Sequence, residues 1–424
     1  MITRLKRLIP RPLLELIRPP YHLALSYLAD LWYKHPSNEI MVIGVTGTKG
    51  KSTVTELVAR ILETEGHTVA SLSTIQFSIA GQSKRNLYKM TMPGRFFVQR
   101  FLRQAVTAGC THAVIEMTSE GAKQFRHRYI ELDALIFTNL TPEHIESHGS
   151  FQNYKDAKLS IARRVATSQK RPRYIVANYD DEHGPDFLGF KVEYKLPYSL
   201  KDLSLYSLHK DSVSLVFGDT TIRVPMIGLF NVYNILAAIT FARALGISLL
   251  TIDKALRDLP PIAGRVEQFT TPRDAEKPVT AVVDYAHTPD SLEKLYQAFP
   301  NVPKICVLGN TGGGRDTWKR PEMGAIAEKY CEHVILTNED PYDEDPRDIV
   351  EAMQKGIVNR DKVSIIMDRR LAIRKALELA PANGYVIVSG KGTDPFIMGK
   401  NGTKTPWSDA VEVTLAIEEM ARDL

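Results

Sequence analysis

The chain has 424 residues, 44% hydrophobic and 24% charged, with a formal net charge of +5. That length predicts two or three globular domains, and the charge is too mild for a nucleic-acid binder, with no Lys/Arg run interleaved with aromatics to argue otherwise. No apolar run reaches the length of a membrane span, and three cysteines (Cys110, Cys306, Cys331) without metal-ligand spacing predict reduced thiols in a cytoplasmic protein.

Residues 1–39 mix Arg4, Lys6, Arg7, Arg11 and Arg18 with Leu and Ile, and prolines fall at 10, 12, 19 and 20. A helix starting at Pro20 is predicted, with Tyr21, Leu25, Leu28, Leu31 and Trp32 on one face. Packing of that helix on the main domain is expected, with weak contact of a basic amphipathic segment with a membrane surface as the alternative.

Residues 40–262 alternate apolar strands with helical patterns, the mark of a mainly parallel sheet covered by helices. The strands are Ile40–Val45, His112–Met117, Ala134–Thr138 and Tyr174–Ala177. The first leads into Gly44-Val-Thr-Gly-Thr-Lys-Gly-Lys-Ser-Thr53, after which Val54, Leu57, Val58, Ile61 and Leu62 form one helical stripe. Strand, glycine loop and helix make a phosphate-binding loop, in which Lys51 reaches the β/γ-phosphates and Ser52 sits on Mg²⁺. Val45 stands where the plain motif has its first glycine, so the spacing reads T-G-T-x-G-K-[ST].

Glu116 ends a strand of the same sheet, where a carboxylate can hold Mg²⁺. Past the next strand lies Phe137-Thr-Asn-Leu-Thr-Pro-Glu-His-Ile-Glu-Ser-His-Gly149, followed by a helix in which pattern alone does not separate Lys155 from Lys158. Short alternating runs at 203–208, 213–217 and 221–224 predict a small antiparallel addition, and Phe230–Leu245 a further helix. After the Pro260-Pro261-Ile262-Ala263-Gly264 linker, residues 263–424 form a second α/β series with strands at Ala281–Asp284, Ile305–Leu308, His333–Leu336, Val363–Met367 and Tyr385–Val388.

In order along the chain, T-G-T-K-G-K-S-T, I-E-M-T-S-E-G, F-T-N-L-T-P-E-H-I-E-S-H-G with Y-x-x-A-K, G-L-F-N-V-Y-N-I-L-A-A, G-R-V-E, V-D-Y-A-H-T-P-D-S-L-E, G-G-R-D-x-x-K-R-P-E-M-G-A-I-A-E and S-G-K-G resemble the Mur ligases, specifically the MurE type. The resemblance implies a short helical N-terminus (1–39), a P-loop central ATP-binding domain with a mainly parallel sheet (40–262) and a C-terminal Rossmann-like α/β domain (263–424). It implies a cytoplasmic monomer that uses ATP and Mg²⁺ in peptidoglycan precursor synthesis. Such an enzyme adds an amino acid to a muramoyl-peptide precursor through an acyl phosphate.

Residue by residue, the resemblance implies ATP contacts from Thr46, Gly47, Thr48, Lys49, Gly50, Lys51, Ser52 and Thr53, with Asn231 on the adenine side and Arg265 and Asp284 beyond it. It implies metal ligation by Ser52, Glu116, His144 and an N-carboxylated Lys158, with Lys51, Lys158, His144 and Glu116 as the catalytic set. Thr91, Pro93, Ser119 and Arg126 match positions that hold the nucleotide-sugar peptide.

The departures lie on the substrate side. Thirty-nine residues stand where the family has a uridine-gripping domain, so a weakly or partner-held UDP moiety is expected. The acceptor motif reads Thr91-Met-Pro-Gly94 where the family has an acidic residue after T-T-P, and Glu120 replaces a His. The amino-acid selector reads Glu339-Asp340-Pro-Tyr342, and Gly390-Lys-Gly-Thr-Asp394 replaces G-K-G-H-E. Tyr342 lacks the charge of the family's Arg, and the carboxylates around it predict a cationic side chain, lysine or ornithine, unless Arg347 restores the selector. The competing expectations are a folylpolyglutamate synthase type of ligase and a nucleotide-binding module without catalysis.

Overall fold

The structure is a computed structural model that describes residues 11–88, 90–143, 145–272 and 275–422. The chain forms two compact units. One gathers the described residues up to Leu140 with Gly149–Ser204 and Tyr233–Leu256; the other gathers Thr141–His148, Leu205–Val232 and the described residues from Arg257 on.

The first unit is built on an eight-stranded sheet of β1 (Met41–Thr46), β2 (Val69–Leu72), β3 (Gln76–Ile79), β4 (Gln82–Arg85), β5 (His112–Glu116), β6 (Ala134–Phe137), β7 (Tyr174–Asn178) and β8 (Tyr194–Tyr198), in the order β4-β3-β2-β5-β1-β6-β7-β8. All neighbours are parallel except the β2-β3-β4 meander. Helices cover both faces, so β5, β6 and β7 are buried throughout. That burial explains why they read as continuous apolar runs.

The N-terminal helix α1 (Arg11–Trp32) runs through Pro19 and Pro20 instead of starting there. Tertiary contacts override the local penalty: Ser26 donates to Phe125 O at 2.9 Å, and the rings of Tyr27 and Tyr129 lie 5.3 Å apart. The packed face is also not the apolar one. Ser26, Ala29 and Asp30 are buried, whereas Tyr21, Leu28, Leu31 and Trp32 are exposed, Trp32 at 76%. Small residues on the packed face allow close approach to α3 (Arg95–Thr107), while Arg103 donates to the carbonyls of Tyr33 and Lys34.

In the second unit, β9 (Leu205–Leu208), β10 (Val213–Phe217) and β11 (Thr220–Val224) form the expected antiparallel sheet. The sequence places this insertion with residues 40–262, but the segment after it delivers Ile227 into the core of the second unit. A six-stranded sheet holds β12 (Glu267–Thr270), β13 (Thr280–Asp284), β14 (Lys304–Leu308), β15 (His333–Leu336), β16 (Val363–Ile365) and β17 (Tyr385–Ser389), in the order β12-β13-β17-β14-β15-β16. Only β12 is antiparallel, and apolar cores lie on both faces. The expectation of three reduced thiols is corrected. Cys306, in the middle of β14, and Cys331, which ends the helix Lys319–Tyr330, are disulfide-bonded with Cα atoms 6.1 Å apart; Cys110 is free and buried.

Two histidines in the first unit make stability pH-dependent. Burial, with minor help from Arg128 and Arg164, holds His127 down at about 4; burial and His67 do the same to His112. Each stays neutral when folded but binds a proton when unfolded below about 6.5, so stability is present at neutral pH and lost as pH falls from about 6.5 to about 4. For the nearly fully buried His127 the loss is of order 3 kcal/mol. Melting temperature measured from pH 7 to pH 4.5 should fall, and His127→Gln should flatten that fall.

Candidate active site

At the end of β1 the chain turns through Gly47–Gly50 into α2 (Lys51–Thr64). Gly47 has φ +147°, and a Cβ there would lie 1.9 Å from Thr138 Oγ1; Gly50 has φ +84°, and its Cβ would lie 2.2 Å from Asn234 Oδ1. Neither position accepts a side chain, so the backbone itself lines the cradle. Neighbouring groups fix its shape. Thr48 N donates to Asn139 O at 2.8 Å, Lys49 N to Asn139 Oδ1 at 2.9 Å, and Thr138 Oγ1 to Lys49 O at 2.6 Å. Thr46 Oγ1 donates to Met117 O at 3.1 Å, and Thr53 is buried in the first turn of α2. Lys51 Nζ donates to Thr48 O at 2.8 Å, which keeps its ammonium over the loop.

Ser52 and Glu116, expected on one metal, are in contact: Ser52 Oγ donates to Glu116 Oε2 at 2.8 Å. Thr74 joins them, its N–H 2.9 Å from the same oxygen and its hydroxyl 2.7 Å from that of Thr91. A hydroxyl and a buried carboxylate at the start of α2 are hard oxygen donors, the kind Mg²⁺ takes, so these residues fit the ion the family resemblance implies. His144 lies outside the described residues. Lys158 is buried and donates to Gly47 O at 2.6 Å, 4.8 Å from the Tyr154 ring centroid; the Tyr154 hydroxyl is 2.9 Å from Thr48 Oγ1. Lys155, by contrast, pairs with Asp186 at 2.6 Å. Among the described residues no group of three or more His, Cys, Asp or Glu side chains is placed to hold a metal.

The acceptor-side positions also converge. Thr91 is tied to Thr74, and Met92 O accepts from Arg126. Pro93 is half-buried beside them in sequence. Ser119 is buried in the first turn of the short helix Ser119–Lys123, whose N-cap Thr118 accepts from Gly121 N. Gly121 leaves room for Met92, whose Sδ a Cβ would meet at 2.7 Å.

In the second unit a cavity of about 90 Å³ is lined by Asn231, Ile262 and Arg265. Asn231 Nδ2 donates to Ile227 O at 2.8 Å, and the Arg265 guanidinium lies 4.7 Å from the Tyr285 ring centroid. Asp284 accepts from Val266 N at 2.8 Å and Ala286 N at 2.7 Å. Its carboxylate thus shapes the turn that carries Tyr285. The nearby Asp394 charge, then burial, push the Tyr285 hydroxyl well above its ordinary range. Glu143 pairs with His287 Nε2 at 2.9 Å.

The selector region departs most from expectation, because its carboxylates are engaged within the protein. Asp340 pairs with the fully buried Lys391 at 2.9 Å and accepts from Met398 N at 2.7 Å. Lys391 also reaches Asp394 at 3.5 Å. Glu344 pairs with Arg320 at 2.6 Å, Asp343 accepts from Asn401 N, and Asp345 caps the helix Pro346–Gln354. Glu339 is buried against Gly390, where a Cβ would lie 2.1 Å from its Oε2, and burial raises its carboxyl above the ordinary range. The expected field of free carboxylates around Tyr342 is therefore thinner: Asp340 and Glu344 are paired with cations of the protein, while Asp343 and Asp345 are exposed and accept backbone N–H groups. Tyr342 instead carries the Arg315 guanidinium 5.1 Å from its ring centroid, while Arg347 is exposed on the helix Pro346–Gln354. Thr74, Asn139, Tyr154, Asn234 and Arg315 also line these positions; Asn139, Tyr154, Asn234 and Arg315 lie inside the quoted motifs without having been assigned a role there, and Thr74 lies in none.

Comparison with known proteins agrees with this geometry. The Mur ligase middle domain model matches residues 45–242, and the model described as Mur ligase, glutamate ligase domain matches residues 264–392. The UDP-N-acetylmuramoyl-L-alanyl-D-glutamate–2,6-diaminopimelate ligase of Thermosynechococcus vestitus is 35% identical over 95% of this chain and 82% of its own. The enzyme of the same name from Halalkalibacterium halodurans is 32% identical over 93% and 82%. A solved structure of such a ligase has a TM-score of 0.61 at 28% identity, covering 93% of this chain and 82% of that one. Folylpolyglutamate synthase of Mycobacterium tuberculosis complexed with ADP shares the fold, with a TM-score of 0.69 at 16% identity over 88% and 92%. The cradle, its Ser52–Glu116 contact and these matches lead to one conclusion: the chain belongs to the Mur ligase family, and within it to the MurE type.

Proposed function

We propose that the protein is an ATP-dependent amide ligase of peptidoglycan precursor synthesis that joins an amino acid to the D-glutamyl carboxylate of a muramoyl-dipeptide in the cytoplasm. The observation that carries this reading is the contact of Ser52 with Glu116 beneath a loop whose glycines exclude side chains. A free carboxylate does not react with an amine. Transfer of the ATP γ-phosphoryl group makes it an acyl phosphate, the amine attacks, and phosphate leaves. In this scheme the loop N–H groups hold the phosphates, and Lys51 exchanges Thr48 O for a phosphate oxygen as charge shifts. Ser52 and Glu116 would hold one Mg²⁺, and His144 with an N-carboxylated Lys158 a second; bound there, the ions would neutralise charge on the transferring phosphoryl group. Carboxylation would replace the Lys158 ammonium by an anion beside the loop. Asn231 and Arg265 would receive the adenine end.

For the incoming amino acid, internal pairing of Asp340 and Glu344 weakens the reason to expect a cationic side chain. Arg315, stacked on Tyr342 and exposed, supplies positive charge where the selector stands. That supports an amino acid with a second carboxylate, as the relatives' 2,6-diaminopimelate has, with Arg347 as the competing anchor. The exposed apolar stripe of α1, next to a basic segment, supports weak contact with an anionic membrane surface.

ADP release with UDP-N-acetylmuramoyl-L-Ala-D-Glu and an amino acid tests the reading as a whole; no release with any amino acid would refute it. Lys51→Ala should lower the rate at least a thousandfold with an unchanged melting temperature. Lys158→Ala should be similarly inactive, and intact-protein mass spectrometry under bicarbonate should show one carbon dioxide adduct on wild type alone; an active Lys158→Ala ends its assigned role. For the amino acid, kcat/KM should favour diaminopimelate over lysine by more than tenfold, and Arg315→Ala should erase the preference. If Arg347→Ala erases it instead, the anchor is Arg347.

A further inference from the structure

The turn that joins β2 to β3 is anchored to three other parts of the first unit. Ser73 Oγ donates to Glu56 Oε1 at 3.2 Å, and Gln76 Nε2 to Glu56 Oε2 at 3.0 Å; Glu56 stands on α2, one turn past Ser52. Between them, Thr74 gives Glu116 both its N–H, at 2.9 Å, and its hydroxyl, at 3.1 Å. The acceptor loop is tied to this turn twice. Asn86 Nδ2 donates to Ser73 O at 3.0 Å and to Met90 O at 3.1 Å, and Thr74 Oγ1 lies 2.7 Å from Thr91 Oγ1. The Asn86 link has a fixed direction, since an amide N–H₂ only donates and a carbonyl only accepts. The link between the two hydroxyls has no direction of its own.

Glu116 sets that direction. A hydroxyl has one proton and two lone pairs, and a carboxylate only accepts. Thr74 spends its proton on Glu116, so Thr91 is the donor in the 2.7 Å contact. With its proton spent on Thr74, Thr91 offers a ligand lone pairs only. Once the Glu116 oxygens are given over to a cation, Thr74 is free to turn its proton to Thr91, and Thr91 to turn its own to a ligand. The chain of two hydroxyls thereby converts occupancy at Glu116 into donor or acceptor character at Thr91.

We infer that the Thr74 hydroxyl couples the two ends of the site: a cation at Glu116 makes Thr91 a hydrogen-bond donor and so tightens binding of an acceptor that presents an anionic oxygen there, and the acceptor tightens cation binding by the same factor. Thr74 is a positioning residue in this scheme, acting through Glu116 and Thr91. That the ligand at Thr91 is the acceptor rests on the function proposed above; the hydroxyl chain does not.

Calorimetry without turnover tests the coupling. The full chain, saturated with ADP in either magnesium chloride or EDTA, is titrated with UDP-N-acetylmuramoyl-L-Ala-D-Glu. Magnesium should tighten acceptor binding about fivefold in wild type and in Thr74→Ser, whereas Thr74→Val should lose most of that gain. Asn86 and Glu56 hold the turn and the loop without the hydroxyl, so both variants should melt near wild type. In EDTA, Thr74→Val should bind the acceptor no more weakly than wild type, because Thr91 then keeps its proton; a merely structural role would weaken it. No magnesium dependence in wild type, the same dependence in Thr74→Val, or weaker binding by that variant in EDTA would overturn the inference. If wild type binds no acceptor, the assigned acceptor falls, and magnesium titration of the ADP-bound protein decides the rest. Thr91→Val should weaken magnesium binding about threefold, but have no effect in the Thr74→Val background. Equal effects in the two backgrounds would overturn the coupling, and an effect confined to the Thr74 background would uphold it.

Discussion

One buried carboxylate joins the parts of the candidate site in the first unit. Glu116 ends β5, where it accepts from Ser52 at the start of α2 and from the backbone and hydroxyl of Thr74 beyond β2. A carboxylate with 2% exposure is expensive unless its oxygens are satisfied, and these donors come from separate segments. The sheet order β2-β5-β1 brings them together, because β5 lies between the strand that feeds Thr74 and the strand that feeds Ser52. Through Thr74 and Thr91 the same carboxylate reaches the acceptor loop, so the nucleotide side and the acceptor side share one anchor.

The second unit solves a related problem with a different group. Lys391 is fully buried, held by Asp340, Asp394 and the Phe396 carbonyl. Close behind it Arg369 is locked to Asp409 and to Ser389 O. A buried ion pair contributes little net stability, but losing one partner strands the other at a cost of several kcal/mol. These pairs fix the loops after β15 and β17 in one conformation, with Glu339 fitted against Gly390.

β1, β5, β6 and β7, and β13 to β17, were legible because buried parallel strands read as apolar runs, whereas β2, β3, β4, β8 and β12, most of them partly exposed, were not read. The cradle was legible because its glycines, lysine and serine form a spaced pattern tied to one chemistry. Thr74 was not, since it lies in no motif and meets Glu116 only through chain brought next to it by the sheet; Asn139 and Arg315 lay inside motifs, but their contacts did not follow from spacing. Amphipathicity located α1 but gave its packed face wrongly: an apolar stripe does not say whether protein covers it, and Ser26, Ala29 and Asp30 pack instead. The acidic run misled for a similar reason. Adjacency in sequence suggested a shared field, while Lys391 and Arg320, distant in sequence, neutralise two of its members, Asp340 and Glu344.

That neutralisation bears on how amino-acid choice can drift in this lineage. A selector made of free carboxylates could change preference by altering any of them. Here Asp340 and Glu344 hold buried cations, so changing them endangers folding before it alters selectivity. Arg315 is different: it stands exposed at the end of a glycine-rich turn, with Gly313 and Gly314 before it at φ +75° and +71°. Substitution there is nearly free of structural consequence. On the proposed role of Arg315, change in substrate preference is concentrated in a short surface turn, while Asp340 and Glu344 hold the scaffold.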